Sequence, residues 1–208
     1  MNQHYLSQSY DTEPRFGSYW YQIQEVVRIW EPDAKILEIG PGNNFFSEYL
    51  SKRGIQVETL DIIPDSSPTY VGTFTAIPCE DEQFQCVCAF QSLEHQPFEK
   101  LQPSLEEMAR VSRQFIIFSV PDVRFFVTLD LKLIREKYRI LQVINLPRIV
   151  DRHLPPVKTP ACHYWEIGRA GFSVKQVLEE IKKSHLRCLN HYRIPLNPKH
   201  HLFLLSKI

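Results

Sequence analysis

The amino-acid sequence predicts an α/β domain built on a doubly wound, mostly parallel sheet with helices on both faces. Three observations lead to this fold class. Residues 84–90 (FQCVCAF) and 115–120 (FIIFSV) are short continuous apolar runs, as expected for buried strands. Segments with apolar residues at helical spacing separate such runs. A Gly-Pro-Gly turn at 40–42 follows an earlier strand, so strands and helices alternate as they do in parallel sheets.

One helix is predicted before the first strand. Apolar residues recur at helical spacing from Ser18 to Trp30, and Pro32 ends the pattern. Residues 1–16 are polar and are predicted to be poorly ordered or spread over the surface. A chain of 208 residues is most simply one domain. Residues 1–34 would then form a helical cap on that domain.

The stretch Lys35–Asp61 is predicted to form a strand, a tight turn, a helix and a second strand. Its first residues are apolar and β-prone, and the glycines of the turn permit backbone angles that other residues avoid. Asn43 and Asn44 are suitable N-cap residues for a helix over Phe45–Arg53. Gly54 occupies the position of a C-terminal cap glycine.

This turn, with the acid that follows the second strand, indicates a site for an adenosine-containing ligand. Backbone N–H groups at the turn and the helix N-terminus can hold a carboxylate or phosphate. Asp61 lies where an acid can accept hydrogen bonds from both ribose hydroxyls. Phe45 occupies the third glycine position of the dinucleotide fingerprint, which disfavours an NAD-dependent dehydrogenase. Taken alone, the motif is also compatible with an ordinary βα turn that binds nothing.

The middle of the chain continues the alternation of strands and helices. A Pro- and Ser-rich loop follows Asp61, and a helix is predicted over Lys100–Arg113, between the two apolar strands. Residues 123–165 are irregular and are predicted to form a lid or substrate-binding insertion. This insertion combines a segment interpreted as helical, TLDLKLIREKY, with Pro-bearing segments.

The C-terminal part of the chain is predicted to complete the sheet. Phe172–Ser184 is an amphipathic helix, with Val177 and Ile181 on its apolar face. Leu186–Tyr192 and His201–Ser206 are interpreted as two final strands.

Composition argues against several classes of partner. Lys and Arg together number 24, as do Asp and Glu, so the formal net charge is zero. This balance disfavours electrostatic binding to nucleic acid or anionic membranes. The N-terminus has no apolar signal core, and no apolar run approaches the ~20 residues of a membrane span. The expectation is a cytoplasmic protein without a membrane span.

Cysteine and histidine spacing predicts no metal site. Five cysteines without a C-x-x-C pair indicate neither a disulfide framework nor a zinc motif. Cys86 and Cys88 share one face of a predicted strand and are interpreted as packed thiols. His200 and His201 have no third ligand nearby in the sequence and are interpreted as a pair at a strand end.

Two segments resemble the class I S-adenosylmethionine-dependent methyltransferases. Glu38, Gly40 and Gly42 match the E-x-G-x-G motif of that family. Residues 73–95, TFTAIPCEDEQFQCVCAFQSLEH, are similar to the family stretch that runs from an adenine-binding acid through L-P-F to L-E-H. The resemblance covers residues 35–122 in order and spacing. It implies a Rossmann-like sheet of seven strands, mostly parallel, with the last strand antiparallel.

The resemblance further implies S-adenosylmethionine as cofactor and a set of residues that bind it. The glycine turn would hold the methionine end, Asp61 and Ile62 the ribose, and Thr73 and Phe74 the adenine, while Gln91 and His95 would flank the cofactor. The complete set of predicted cofactor contacts is Glu38, Gly40, Pro41, Gly42, Asn44, Asp61, Ile62, Thr73, Phe74, Gln91 and His95.

Two positions depart from the family pattern. Asn44 stands where a third glycine is often found, and Thr73 replaces the acid that binds adenine. A hydrogen bond to a charged group is worth about 1.5–3 kcal/mol against ~1 kcal/mol for a neutral pair. Thr73 therefore predicts a weaker adenine contact than the family acid would make.

The predicted activity is methyl transfer to a small-molecule acceptor, such as a sugar, a lipid or a secondary-metabolite intermediate. The donor methyl is already activated on a sulfonium, so in-line displacement depends mostly on positioning. An acceptor hydroxyl or amine can need a base, and histidine titrates near neutrality. His163, in the run HYWE, is the first candidate for this base and His95 the second; Glu166 and Asp122 are weaker candidates.

Two other functions remain open at this stage. A protein that keeps the fold as a binding or regulatory module without catalysis would be consistent with Thr73 and the missing third glycine. A nucleic-acid methyltransferase is disfavoured by the neutral charge. It is also disfavoured because residues 91–94, QSLE, replace the N-P-P-Y or D-P-P-Y motif.

Overall fold

A computed structural model describes residues 10–64, 67–133, 138–145 and 163–208. The helices in these ranges are α1 (Glu13–Ile29), α2 (Phe45–Lys52), α3 (Leu101–Val111) and α4 (Val174–Lys183). The strands are β1 (Lys35–Ile39), β2 (Gln56–Asp61), β3 (Tyr70–Val71), β4 (Phe84–Phe90), β5 (Ser112–Pro121), β6 (Phe126–Leu133), β7 (Tyr138–Asn145), β8 (Leu186–Ile194) and β9 (Asn197–Lys207). Two short 3₁₀ turns, Leu93–His95 and Phe98–Lys100, lie between β4 and α3.

Seven strands form one sheet in the order β3-β2-β1-β4-β5-β9-β8. Strands β1 to β5 pair in parallel, whereas the last strand, β9, runs antiparallel to both β5 and β8. The predicted fold class is thereby confirmed. The strand order reverses between β1 and β4, and in open α/β sheets ligands bind outside the carboxyl ends of the strands at such a point.

Helices cover both faces of the sheet because successive strand residues point to opposite sides. On one face, Val26 of α1 and Phe46 of α2 pack in a buried cluster with Cys86 and Cys88. The other face holds a second buried cluster, which α3 and α4 cover with the apolar side chains Leu101, Leu105, Met108, Val177 and Ile181. The thiols of Cys86 and Cys88 lie 3.7 Å apart in the first cluster, so their interpretation as packed core residues is confirmed.

The segment interpreted as helical in the insertion is instead a strand. β6 and β7 form an antiparallel two-stranded sheet in which Phe126 pairs with Asn145. The helical interpretation was wrong because Val127, Leu129 and Leu131 alternate with polar residues at a period of two. The helical signal came from the charged residues that follow, and these lie outside the described residues.

The first helix begins earlier than predicted. α1 starts at Glu13, after Thr12 at the N-cap position, with Pro14 in its first turn. Proline is common in the first turn because its missing N–H has no partner there anyway. Of the segment 1–16 that was predicted to be poorly ordered, residues 10–16 are therefore ordered, and residues 1–9 lie outside the described part of the chain.

Much of the predicted insertion lies outside the described residues, including the Pro-bearing segments within 146–162. Its described C-terminal end is tied to the sheet. Ile167 donates a backbone hydrogen bond to Pro121 O at 3.0 Å, and Val123 donates one to Ile167 O at 2.9 Å. These bonds bring residues 163–168 to the carboxyl end of β5.

No helix in the described ranges combines the length and the apolar character needed to cross a membrane.

Candidate active site

The turn after β1 forms the centre of the site. Gly40 has φ +71°, and a Cβ atom at this position would lie 2.9 Å from Ser92 Cβ. Any larger residue here would be strained and would also collide with Ser92. The Ser92 hydroxyl in turn donates to Ile39 O at 3.3 Å. Glycine thus allows the turn after β1 to approach the segment after β4 closely.

A first cavity, of about 480 Å³, lies at the carboxyl ends of β1 and β2. Asp61 lines it, and its Oδ1 accepts a hydrogen bond from Ile63 N at 2.9 Å. Ile62 and Ile63 are large apolar residues at this cavity, yet they are 67% and 53% exposed. The lining residues are Ile39, Gly40, Gly42, Leu60, Asp61, Ile62, Ile63, Gly72, Thr73, Phe74, Gln91, Ser92, His95 and Gln96. A carboxylate beside exposed apolar side chains suits a ligand that has hydroxyls and a flat ring.

A second cavity, of about 440 Å³, continues from the first and shares Gly40, Gly42, Gln91 and His95 with it. It extends under α1 and reaches His163, at the C-terminal end of the insertion. The lining residues are Tyr10, Arg15, Ser18, Tyr19, Gln22, Glu38, Gly40, Pro41, Gly42, Asn43, Phe90, Gln91, Glu94, His95, His163 and His200. Because four residues border both cavities, one elongated ligand can occupy the two together.

Glu38 contributes a buried carboxylate to the second cavity. The residue is 4% exposed, and its Oε2 has no hydrogen-bond partner in the described part of the chain. Burial raises the pKa of Glu38 to about 8, although hydrogen bonds from Ser47 act in the opposite direction. A positively charged ligand group at this position would favour the ionised form of the carboxyl group.

Glu94 contributes a second buried carboxylate. It lies in the 3₁₀ turn after β4, is 0% exposed, and neither of its carboxylate oxygens has a hydrogen-bond partner within the described ranges. Burial raises the pKa of Glu94 to about 8. A native structure seldom leaves such a group unsatisfied, so an unpaired carboxylate here needs an explanation.

Backbone pairing brings His163 to this carboxylate. Tyr164 N donates to Glu94 O at 2.8 Å, which places His163 Nε2 3.9 Å from Glu94 Oε1. The rings of His95 and His163 meet edge to face, with their centroids 5.0 Å apart. Each of Glu94, His95 and His163 offers one donor atom, and these three atoms lie within 4.8 Å of one another.

Glu166 orients the His163 ring. Its Oε1 lies 2.8 Å from His163 Nδ1, while its Oε2 accepts a hydrogen bond from Arg169 Nε at 2.7 Å. The Glu166 hydrogen bond raises the pKa of His163 above its usual value, and burial opposes the shift. With Nδ1–H donating to Glu166, His163 Nε2 is left as an acceptor at the Glu94 side.

Asp122, a weaker catalytic candidate, has a different role from the one predicted. It is 0% exposed, and its carboxylate accepts hydrogen bonds from Arg193 Nη2 and from Arg124 Nη2, the latter at 2.6 Å. His201 Nδ1 lies 3.0 Å from its Oδ2. Burial disfavours the charge, but these hydrogen bonds outweigh it and hold the pKa of Asp122 well below its usual range. Asp122 therefore joins β5 to β8 and β9 rather than facing either cavity.

Most of the predicted site residues line one or both cavities. Asn44 does not: it faces the opposite side of α2, where it lines a groove with Ser47, Ser51 and Val57. It has φ +62° and makes no side-chain cap bond, because it adopts the conformation that a glycine would adopt there. Asn43 provides the bond instead, with Oδ1 accepting from Phe45 N at 3.1 Å.

The sequence alone did not identify several residues that line the second cavity. Tyr10 and Arg15 come from the N-terminal segment predicted to be poorly ordered, and the Arg15 guanidinium lies 3.8 Å from the centre of the Tyr10 ring. The run Thr12-Glu13-Pro14 is a helix-start signal that could have placed them on α1 or just before it. Glu94 lies within the L-E-H motif, but its role depends on His163, which is distant in the chain.

Phe45, the residue that departs from the dinucleotide fingerprint, packs against α1. Its ring stacks on Tyr19 with centroids 4.5 Å apart, and the Tyr19 hydroxyl donates to Asn43 Oδ1 at 3.2 Å. α1 is thus held over the turn that follows β1, where it covers the second cavity.

Comparisons with known proteins agree with this architecture. Residues 37–117 match the family model described as a methyltransferase domain. A comparison with curated protein sequences gives no match.

Several solved structures share the fold at low sequence identity. The 1,6-didemethyltoxoflavin-N1-methyltransferase of Burkholderia thailandensis, solved with S-adenosylhomocysteine and 1,6-didemethyltoxoflavin, is 14% identical; the alignment covers 94% of this chain and 78% of that one, with a TM-score of 0.60. The magnesium protoporphyrin IX methyltransferase of Synechocystis, solved with S-adenosylhomocysteine, is 11% identical over 94% and 86%, with a TM-score of 0.62. An S-adenosylmethionine-dependent methyltransferase of Clostridium acetobutylicum is 8% identical over 98% and 95%, with a TM-score of 0.60.

The solved structures are similar to this chain in fold, and the family model matches part of its sequence. Both comparisons lead to methyltransferases. The match runs from β1 into β5 and includes every residue that lines the first cavity. Residues 37–117 thus match a methyltransferase domain, and the chain shares the fold of S-adenosylmethionine-dependent methyltransferases of known structure.

Proposed function

We propose that the protein transfers the methyl group of S-adenosylmethionine to a small-molecule acceptor bound beside His95 and His163. The observation that carries this proposal is the pair of joined cavities at the carboxyl edge of the sheet. One has the character expected for an adenosine site, and the other ends at a cluster of titratable side chains. Together they suit a long ligand with a reactive centre near its middle.

The adenosine half would occupy the first cavity. Asp61 would accept hydrogen bonds from the ribose hydroxyls, and the exposed apolar side chains of Ile62 and Ile63 would be covered by the ligand. Thr73 and Phe74 would lie at the adenine. Removing this exposed apolar surface from water favours binding at roughly 25 cal/mol per Å².

The amino-acid half would occupy the start of the second cavity. The backbone of Gly40, Pro41 and Gly42 would hold its carboxylate, and the buried Glu38 would accept its ammonium group. The ammonium would then satisfy the unpaired Oε2 of Glu38, and a charge-assisted bond is stronger than a neutral one. Asn44 has no part in this proposal because it lines neither cavity.

Methyl transfer would proceed by in-line displacement at the sulfonium. The bond between sulfur and the methyl carbon breaks while a bond between that carbon and the acceptor oxygen or nitrogen forms, leaving S-adenosylhomocysteine. Positioning supplies most of the acceleration because the methyl group is already activated. His163 Nε2, with Nδ1 turned to Glu166, is oriented to take the acceptor proton.

The acceptor would enter from the side of the insertion. His95 is exposed and His163 is partly exposed, so both can meet a molecule that arrives from solvent. A sugar, a lipid or a secondary-metabolite intermediate remains the proposed class. The proposal also includes the cytoplasmic location expected from the sequence, which cell fractionation would test.

Calorimetric titration with S-adenosylhomocysteine tests the proposed cofactor site. We expect one molecule to bind per chain, and Asp61→Asn to weaken binding by about 10–100-fold because two bonds to a charged acceptor become neutral. Asp33→Asn is the matched control: Asp33 has φ +65°, a conformation that asparagine tolerates, and it lines neither cavity. Absence of binding, or equal affinity in the Asp61 variant, would refute the cofactor site.

A further inference from the structure

Three donor side chains meet at the far wall of the second cavity. Glu94 and His95 come from the turn after β4, and His163 comes from the C-terminal end of the insertion. We infer that Glu94, His95 and His163 form a binding site for a divalent transition-metal ion.

The first argument is that Glu94 is a buried carboxylate without a hydrogen-bond partner in the part of the chain that the structure describes. It is 0% exposed and neither carboxylate oxygen has a hydrogen-bond partner among the described residues. Burying an unpaired ionisable group costs several kcal/mol of folding free energy, so proteins normally pair such groups or use them to coordinate metals. A cation at this position would satisfy the carboxylate without any change to the backbone.

The orientation of His163 is the second argument. Glu166 Oε1 lies 2.8 Å from Nδ1, and Arg169 holds the other oxygen of the same carboxylate. Metal-binding histidines almost always donate the N–H of their other ring nitrogen to a carboxylate or a carbonyl, which fixes the ring and directs the lone pair at the metal. The Glu166–His163 pair has this arrangement, and Nε2 is the atom near Glu94.

The distances allow coordination with small side-chain adjustments. The three donor atoms lie within 4.8 Å of one another, and His163 Nε2 is 3.9 Å from Glu94 Oε1. Ligands about 2.0–2.2 Å from one ion lie about 3.0–3.5 Å apart. The donors must therefore approach by roughly an ångström to reach one ion.

The donor set defines the class of ion. Two imidazoles and one carboxylate suit Zn²⁺, Mn²⁺, Fe²⁺ or Co²⁺, whereas Ca²⁺ and Mg²⁺ prefer oxygen ligands throughout. Three protein ligands leave at least one coordination position open, as in catalytic rather than structural metal sites. The sequence did not predict this site because the third ligand comes from a separate segment.

The role of the ion follows only if the proposed function holds. His163 Nε2 cannot bind metal and accept a proton together, so the ion would replace it in activating the acceptor. A cation lowers the pKa of a coordinated hydroxyl and orients it. The acceptor would then be a molecule with an oxygen donor that can reach the ion, and neighbouring hydroxyls would bind best.

Ion binding is measured directly on the full chain, without substrate. Protein freed of metal with a chelator is dialysed against Zn²⁺, Mn²⁺ or Co²⁺ and the bound metal is counted, with Co²⁺ absorption as a report of the ligands. We expect one ion per chain. Glu94→Gln and His163→Ala should weaken binding by more than about 100-fold, and Glu166→Gln, which acts through His163, by about 10–100-fold.

Control variants separate this site from other histidines. His191→Ala alters a different histidine pair, in which His191 Nδ1 lies 3.0 Å from His201 Nε2, and should leave ion binding unchanged. Since Glu94 is buried, circular dichroism checks the fold of its variant, and His95→Ala tests the site through an exposed ligand. No bound ion, or binding that persists in both the His95 and His163 variants, would overturn the inference.

The two proposals fail in distinguishable ways. Titration of the metal-free protein with S-adenosylhomocysteine tests the cofactor site alone. Cofactor binding without ion binding would overturn the metal site and leave methyl transfer with His163 as base. Ion binding without cofactor binding would sustain the metal site and overturn the proposed function.

Discussion

Two buried carboxylates follow neighbouring strands of the sheet, and their surroundings are opposite. Asp122 follows β5 and Glu94 follows β4, and both are 0% exposed. Asp122 is paired with Arg193, Arg124 and His201. Neither oxygen of Glu94 has a hydrogen-bond partner in the described ranges.

The difference distinguishes a residue that joins elements from one that is available to a ligand. The paired surroundings of Asp122 hold its pKa below the usual range, so it stays ionised and links three strands. Burial raises the pKa of Glu94 to about 8, and Glu38, which lines the same cavity, has a similar shift. The carboxylate of Asp122 is thus satisfied where the strands meet, whereas the described residues leave that of Glu94 unsatisfied beside the second cavity.

The largest expected effect comes from removing the paired charge. Asp122→Asn should lower the free energy of unfolding by about 3–5 kcal/mol, because Arg193 is buried and would lose its counter-ion. Denaturant unfolding measures this loss. Asp81→Asn is the control: it pairs with Arg110 at 2.6 Å, but its side chain is 75% exposed, so the loss should stay below about 1 kcal/mol. Similar losses for both variants would contradict the comparison.

A smaller effect is expected in the pH dependence of stability. The pKa of Glu38 is raised from 4.5 to about 8 in the folded protein, so the folded state holds a proton that the unfolded state releases between these values. Its contribution to stability is complete below pH 4.5 and is lost as pH rises through 8. Glu38→Gln should therefore flatten the decline of stability between pH 5 and 9 by at most about 4 kcal/mol, at ~1.4 kcal/mol for each pH unit between 5 and 8.

The control for this experiment is Glu179→Gln, a change at an exposed carboxylate on α4. Its unfolding free energy should fall with pH as steeply as that of the unchanged protein. If the Glu38 variant also keeps the full slope, the buried carboxylate is not the source of the pH dependence.

The smallest expected effect concerns Thr73, which replaces the acid that binds adenine in the family pattern. Thr73→Asp would add a carboxylate at the adenine end of the first cavity. A bond to a charged acceptor exceeds a neutral one by about 1 kcal/mol, so cofactor affinity should rise roughly fivefold. Thr75→Asp, a change two residues away at an exposed position outside both cavities, should have no such effect. Equal changes in both variants would point to a general charge effect rather than a contact with adenine.

The sequence predicted those parts of the site that depend on local patterns. Glu38, Gly40 and Asp61 lie within one strand-turn-helix-strand unit, so their spacing determines which cavity edge they reach. Periodicity also predicted the buried strands β4 and β5. Periodicity failed in β6, which was interpreted as helical. There, leucines that alternate at the strand period precede a charged segment that fits a helix.

The remaining parts depend on contacts between segments that are distant in the chain. The importance of Glu94 becomes visible only when the Tyr164–Glu94 backbone bond brings His163 beside it. Asp122 looked like a candidate acid for the same reason: its partner Arg193 comes from β8, which no local pattern connects to β5. Partners supplied by tertiary packing decide whether a buried acid is structural or functional.

The most direct measurement is a crystal structure of the full chain with S-adenosylhomocysteine. The account predicts one molecule across both cavities, with its ribose hydroxyls on Asp61, its ammonium on Glu38 and its sulfur facing the side where His95 and His163 lie. A ligand bound away from Asp61, or one whose sulfur faces away from the two histidines, would contradict the account.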